Sequence, residues 1–164
     1  MSKQQEQSID LKRLQDYFPP EDIEWKVGVV TKDRKRAMAM AYLTNRAIMD
    51  RLDEVCGPEN WRNEFRPGPA GGVLCGISIR IHGEWITKWD GSENTTFESV
   101  KGGLSTSMKR AAVQWGIGRY LYKLPAQWIP LDERGNFARQ PQIPADFLPE
   151  GYRRKSTHRL RQTG

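Results

Sequence analysis

The chain has 164 residues with a formal net charge of +6, 37% hydrophobic residues and six tryptophans. That length suits one domain with a tail, the tryptophans can build a core, and the basic balance points to a polyanionic partner. No apolar run nears the roughly 18 residues that span a bilayer, and the polar start Met1–Gln7 lacks a signal-peptide core. Cys56 and Cys75 form neither a metal-type pair nor a disulfide framework, so a soluble, cytoplasmic protein without membrane partners is expected.

In chain order, Ser8 to Phe18 predicts a short helix capped by Ser8 and stopped by Pro19-Pro20. Ile23 to Val30 predicts a strand with Trp25, Val27 and Val29 on one face, followed by the charged turn Lys32 to Arg36. Ala37 to Leu43 suits helix or strand and is assigned as a strand. Thr44 is expected to cap a helix from Asn45 to Cys56 that buries Ile48, Leu52 and Val55 and ends at Gly57-Pro58. An antiparallel meander follows: Trp61 to Arg66, then Val73 to Ile81, then a His82-Gly83 turn into Glu84 to Trp89.

Thr95 and Glu98 have capping-box spacing at the head of a long helix expected to reach Trp115. Val100, Leu104, Met108, Ala111 and Trp115 gather into an apolar stripe that should cover the sheet. Gly102 and Gly103 each cost about 1 kcal/mol in a helix interior, which predicts a close approach by another backbone or a ligand. Beyond Leu124, five prolines punctuate a segment with little periodicity, and the end is basic. The expected division is therefore 1–125 as the folded domain and 126–164 as a Pro-rich, then basic, partly disordered tail.

Enzyme signatures fail in turn. His82-Gly83-Glu84 begins like a zinc-deaminase motif, but no Pro-Cys-x-x-Cys follows. Met108 stands before Lys109 where a phosphate-binding loop needs glycine. Asp90, Glu93 and Glu98 leave a metal-dependent nuclease as the alternative reading. On the long helix, Lys101, Ser105 and Lys109 form a line at i, i+4 and i+8 that can follow a phosphate backbone. Arg110 is about 100° further round and serves a different surface. Trp85 and Trp89 share the less apolar hairpin face, where they either pack or stack on bases.

Three stretches resemble the single-strand annealing domain of the Rad fifty-two superfamily, especially its bacterial and phage branch of DdrA- and Sak-like proteins. They are Tyr42-Leu-Thr-Asn-Arg46 continuing through Asp50 to Gly57 and Trp61, then the hairpin Gly76 to Trp85, then Val100-Lys-Gly-Gly-Leu-Ser105 with Met108 to Tyr122. The order and spacing hold over roughly residues 17 to 125. The resemblance implies an α+β fold with a β-β-β-α core, assembled into a homo-oligomeric ring or filament. It also implies single-stranded DNA held by its phosphates in a basic groove, with bases exposed for strand annealing in recombination and repair. No cofactor, metal or catalytic residue is implied.

By the same resemblance, Arg46 and Lys109 match an inner DNA-binding site with Lys101 beside them, and Arg110 matches an outer one. Arg80 and Lys88 on the hairpin complete the candidate DNA contacts. Animal members carry a further basic residue where this chain has Val113, so the outer site differs here. Their long mediator tail has no counterpart in these residues, and the basic C-terminal tail is a candidate contact for a single-strand-binding protein.

Overall fold

Hydrophobic alternation and glycine-marked turns divide the chain into α+β architecture with two antiparallel sheets and few helices, in a computed structural model that describes residues 8–93 and 100–153. The strands are β1 (Ile23–Val30), β2 (Arg36–Leu43), β3 (Trp61–Pro67), β4 (Val73–Ile81), β5 (Glu84–Ser92) and β6 (Trp128–Pro130); the helices are α1 (Asn45–Cys56) and α2 (Val100–Gln114). The chain divides into two compact units, one from residues up to Gln15 with Asn45–Ile117, the other from Asp16–Thr44 with the residues from Gly118 on.

The first unit holds the β3–β4–β5 sheet, paired antiparallel in sequence order. Period-2 alternation turns Cys75, Ile77 and Ile79 of β4 to one side, where all three are fully buried. Helix α2 packs on β4 and β5 over that side, contributing buried Met108, Ala111 and Ala112. The indole Nε1 of Trp115 donates to the Ile77 carbonyl at 2.9 Å, which fixes the helix end against the central strand. His82 (φ +49°) and Gly83 (φ +78°) form the two-residue turn between β4 and β5. Both positive φ angles match the right-handed twist of a hairpin. Helix α1 buries Ala47, Ile48, Leu52, Val55 and Cys56 and ends at Gly57, whose φ of +86° only glycine adopts without strain.

The predicted helix from Ser8 is instead a five-residue 3-10 turn, Leu11–Gln15. Asp10, not Ser8, serves its start by accepting from the Lys12 amide at 3.2 Å. So short a segment gains too few bonds to offset helix nucleation before the prolines stop it. Strand β5 runs three residues past the predicted Trp89, because Asp90, Gly91 and Ser92 pair with Cys75, Leu74 and Val73 despite weak strand propensity. The helix cap expected at Thr95 and Glu98 lies outside the described residues.

In the second unit the sheet order is β1–β2–β6, with a register shift between Val27 and Val30 that interrupts the face on which Val29 was expected to join Trp25 and Val27. Strand β6 lies in the Pro-rich segment after residue 125, where no strand was predicted. It pairs with the start of β2, and Ile129, Ile143 and Leu148 are buried. Their irregular spacing carries no period that a sequence pattern could expose. Tyr17, Tyr120 and Phe147 cluster, with Tyr17 and Tyr120 ring centroids 4.7 Å apart. The Phe18 amide donates to the Tyr120 hydroxyl at 2.9 Å. Residues 154–164, most of the expected basic tail, lie outside the described residues.

Candidate nucleic-acid interface

The candidate cations fall on both faces of the β3–β4–β5 sheet. Lys88 of β5 pairs with Ile77 and therefore points to the α2 side. There its ammonium lies 4.8 Å from the Trp115 ring centroid and donates to the Gln114 carbonyl at 3.4 Å. Asp90, two residues on along the same face, accepts from Arg110 Nε at 3.3 Å and from Gln114 Nε2 at 3.0 Å. The Gly91 amide also donates to it at 2.7 Å. Burial pushes the Asp90 carboxyl up, but these three hydrogen bonds and the Arg110 charge outweigh it and hold the group below its ordinary 3.8. The cluster joins Lys88, Arg110 and Trp115 through α2 and β5.

Lys109 is half-buried and precedes Arg110 on α2, so the two point about 100° apart around the helix. Arg46 is exposed in the first turn of α1, on a different element from the β5–α2 cluster. The side chain of Lys101 lies outside the described residues. An open cleft beside the end of β5 has Gly91, Ser92, Gly103, Thr106 and Arg110 on its walls. At Gly103 the close approach is made by strands β4 and β5. A Cβ there would meet Val73 Cγ2 at 2.9 Å, and the Ser92 hydroxyl donates to the Gly103 carbonyl at 3.1 Å.

Arg80 is on the opposite face. It pairs with Trp85 across the hairpin and donates twice to Asn60 Oδ1, at 2.9 and 2.7 Å. The same face carries Arg62 over the Trp85 ring at 4.3 Å and Arg66 over the Trp89 ring at 4.7 Å. Arg62 and Arg66 were not among the sequence candidates. Their signal was the alternation of Arg62, Glu64 and Arg66 along β3. The pairing register that sets them beside Trp85 and Trp89 was missing.

Of the carboxylates in the nuclease alternative, Asp90 is engaged as described and Glu93 is exposed; Glu98 lies outside the described residues. Among the described residues no group of three or more His, Cys, Asp or Glu could hold a metal ion, and no helix is long and apolar enough to cross a membrane.

A three-stranded antiparallel sheet backed by a helix, with lysines and arginines on both of its faces, has the basic surface of a nucleic-acid-binding module. The family model described as Rad52/22 family double-strand break repair protein matches residues 7–71 and 73–136, and the chain belongs to that family. It is 40% identical over 141 residues to the single-stranded DNA-binding protein DdrA of Deinococcus deserti, covering 85% of this chain and 67% of that protein. It is 37% identical over 142 residues to the DdrA of Deinococcus radiodurans, with the same coverage.

Proposed function

We propose that this protein binds single-stranded DNA and anneals complementary strands in DNA repair and recombination, without catalysing bond chemistry. The observation that carries the reading is identity of 37–40%, over 85% of the chain, to two proteins named for single-stranded DNA binding. Lys109, Arg110 and Lys88 hold phosphates along α2 and β5, with Arg46 and Lys101 as further contacts carried by the family resemblance. Cations that neutralise phosphates release counterions and leave base edges free, so Watson–Crick pairing supplies the selection of partner strand.

Annealing in this reading takes place on a homo-oligomer, a ring or filament. The outer face of the β1–β2–β6 sheet supports self-association: Met40, Tyr42 and Trp128 are exposed there on neighbouring strands. An exposed apolar patch of this kind favours a protein partner. The domain of residues 1–125 is the annealing unit of this proposal, and the basic C-terminal residues are its candidate contact for a single-strand-binding protein.

A strand-annealing assay with complementary oligonucleotides, run with and without Mg²⁺, tests the reading. The expected result is accelerated pairing, independent of metal and nucleotide, with both oligonucleotides intact. Degradation that requires Mg²⁺ and stops in Asp90→Asn would replace the proposal with the nuclease alternative.

A further inference from the structure

The face of the β3–β4–β5 sheet turned away from α2 carries Arg62 and Arg66 from β3, Arg80 from β4, and Trp85 and Trp89 from β5. Two layered pairs result. The guanidinium of Arg62 lies over Trp85, with Arg80 also within 5.5 Å of that ring centroid, and the guanidinium of Arg66 lies over Trp89. Gly76 makes the second pair possible. It sits opposite Trp89 in the ladder, and a Cβ there would meet the indole at 2.8 Å, so the ring lies across the bare backbone. Arg62 and Arg66 are four residues apart on one strand, which spaces the two pairs by about 13 Å.

The charge on this face is only partly compensated. Arg80 donates two hydrogen bonds to the neutral amide oxygen of Asn60. No carboxylate lies within salt-bridge distance of Arg62 among the described residues. Arg66 reaches Glu64 only at 3.5 Å, between two exposed side chains, and such surface pairs neutralise little. Three guanidiniums against one carboxylate call for an anionic ligand. A guanidinium resting on an indole also presents a flat outer surface with its N–H edge free, which accepts a planar base on top and a phosphate at the side.

We propose that this sheet face is a second contact surface for single-stranded nucleic acid. Unpaired bases stack on the Arg62–Trp85 and Arg66–Trp89 layers, and the free guanidinium edges and Arg80 hold the flanking phosphates. The proposal shares its ligand class with the reading above but uses different residues on the other side of the sheet, and it adds base contact to a mode that otherwise engages phosphates alone. It also accounts for Arg80 of β4 and Lys88 of β5 standing on opposite faces of the sheet: each serves its own surface.

The test measures affinity for an oligothymidylate and for an abasic deoxyribose-phosphate strand of equal length, at fixed salt, with the full chain. Wild type is compared with Trp85→Leu, Arg62→Ala and Lys109→Ala, with self-association followed by sedimentation. Arg62 is exposed and outside the core, so Arg62→Ala keeps the test valid if Trp85→Leu fails to fold. Expected are a loss of about five- to tenfold for the oligothymidylate in Trp85→Leu and Arg62→Ala, and no change for the abasic strand in Trp85→Leu. Lys109→Ala should weaken both strands.

Wild-type affinity of Trp85→Leu and Arg62→Ala for the oligothymidylate overturns the inference. Equal losses on both strands in Trp85→Leu overturn it too, because they remove the role of the base. Loss of self-association with DNA affinity intact makes the face a subunit contact and likewise overturns it. If only Lys109→Ala is silent, the phosphate row along α2 fails while this surface stands.

Discussion

Arg110 of α2 and Asp90 of β5 meet at 3.3 Å, which places a carboxylate directly against one of the cations proposed to hold DNA. The arginine side chain remains 54% exposed and the aspartate 23%, so the pair sits at the surface and an incoming phosphate competes with Asp90 for the same guanidinium. Asp90→Asn keeps the size and the Oδ1 acceptor but removes the charge. Single-strand affinity is expected to rise in this variant. The slope of log affinity against log salt should steepen by up to about 0.7, the increment for one further phosphate neutralised on a single strand. An unchanged slope in filter-binding or anisotropy titrations would show that Arg110 does not reach the backbone.

The same carboxylate makes stability depend on acid. Because the folded state holds Asp90 below its ordinary 3.8, the unfolded chain takes up a proton there first. Its contribution is therefore complete above about pH 4 and is lost as pH falls through the lower folded value. Thermal melts of wild type and Asp90→Asn should differ by a constant gap at neutral pH that closes below pH 4. A gap that does not narrow as pH falls below 4 contradicts this account of the pair.

Cys56 and Cys75 are both buried, and burial pushes each thiol up to about 11. The folded protein should not react with a thiol reagent at pH 8, since the thiolate is the nucleophile. Both thiols should react on unfolding in denaturant. Between pH 9 and 11 the unfolded chain loses these protons and the folded chain keeps them, so stability should fall as pH rises through that window.

Ile77 is fully buried at the centre of β4, under α2, and its carbonyl receives the Trp115 indole. Ile77→Ala should cost about 2–5 kcal/mol in urea unfolding through lost burial and the cavity left behind. A cost under 1 kcal/mol would mean that α2 does not close over the strand.

Much of this architecture was readable from local pattern. Five alternating apolar residues from Val73 to Ile81 gave β4 both its bounds and its buried face, and Gly57-Pro58 and His82-Gly83 marked two chain reversals by their φ requirements. Strand β6 was not readable: three residues with one buried side chain, Ile129, carry no period, and only pairing to the distant β2 makes them a strand. The candidate site divided the same way. The hairpin arginine and lysine, Arg80 and Lys88, read as one basic set along the chain. The register sets Arg80 against Trp85 and Lys88 against Ile77, on opposite faces, and a cross-strand relation of that kind follows from pairing and not from spacing.

The central claim is phosphate-directed, sequence-independent binding of a single strand, with Arg46 and Lys109 at its inner site. It is tested most directly by the salt dependence of affinity for two unrelated single-stranded sequences, in wild type and in the Arg46→Ala, Lys109→Ala double variant, without metal or nucleotide. The account predicts equal affinities for both sequences and parallel slopes of about −0.7 per phosphate neutralised. In the double variant the slope should be shallower by about 1.4 for both sequences. Binding that is insensitive to salt, or a double variant with the affinity and slope of wild type, would contradict it.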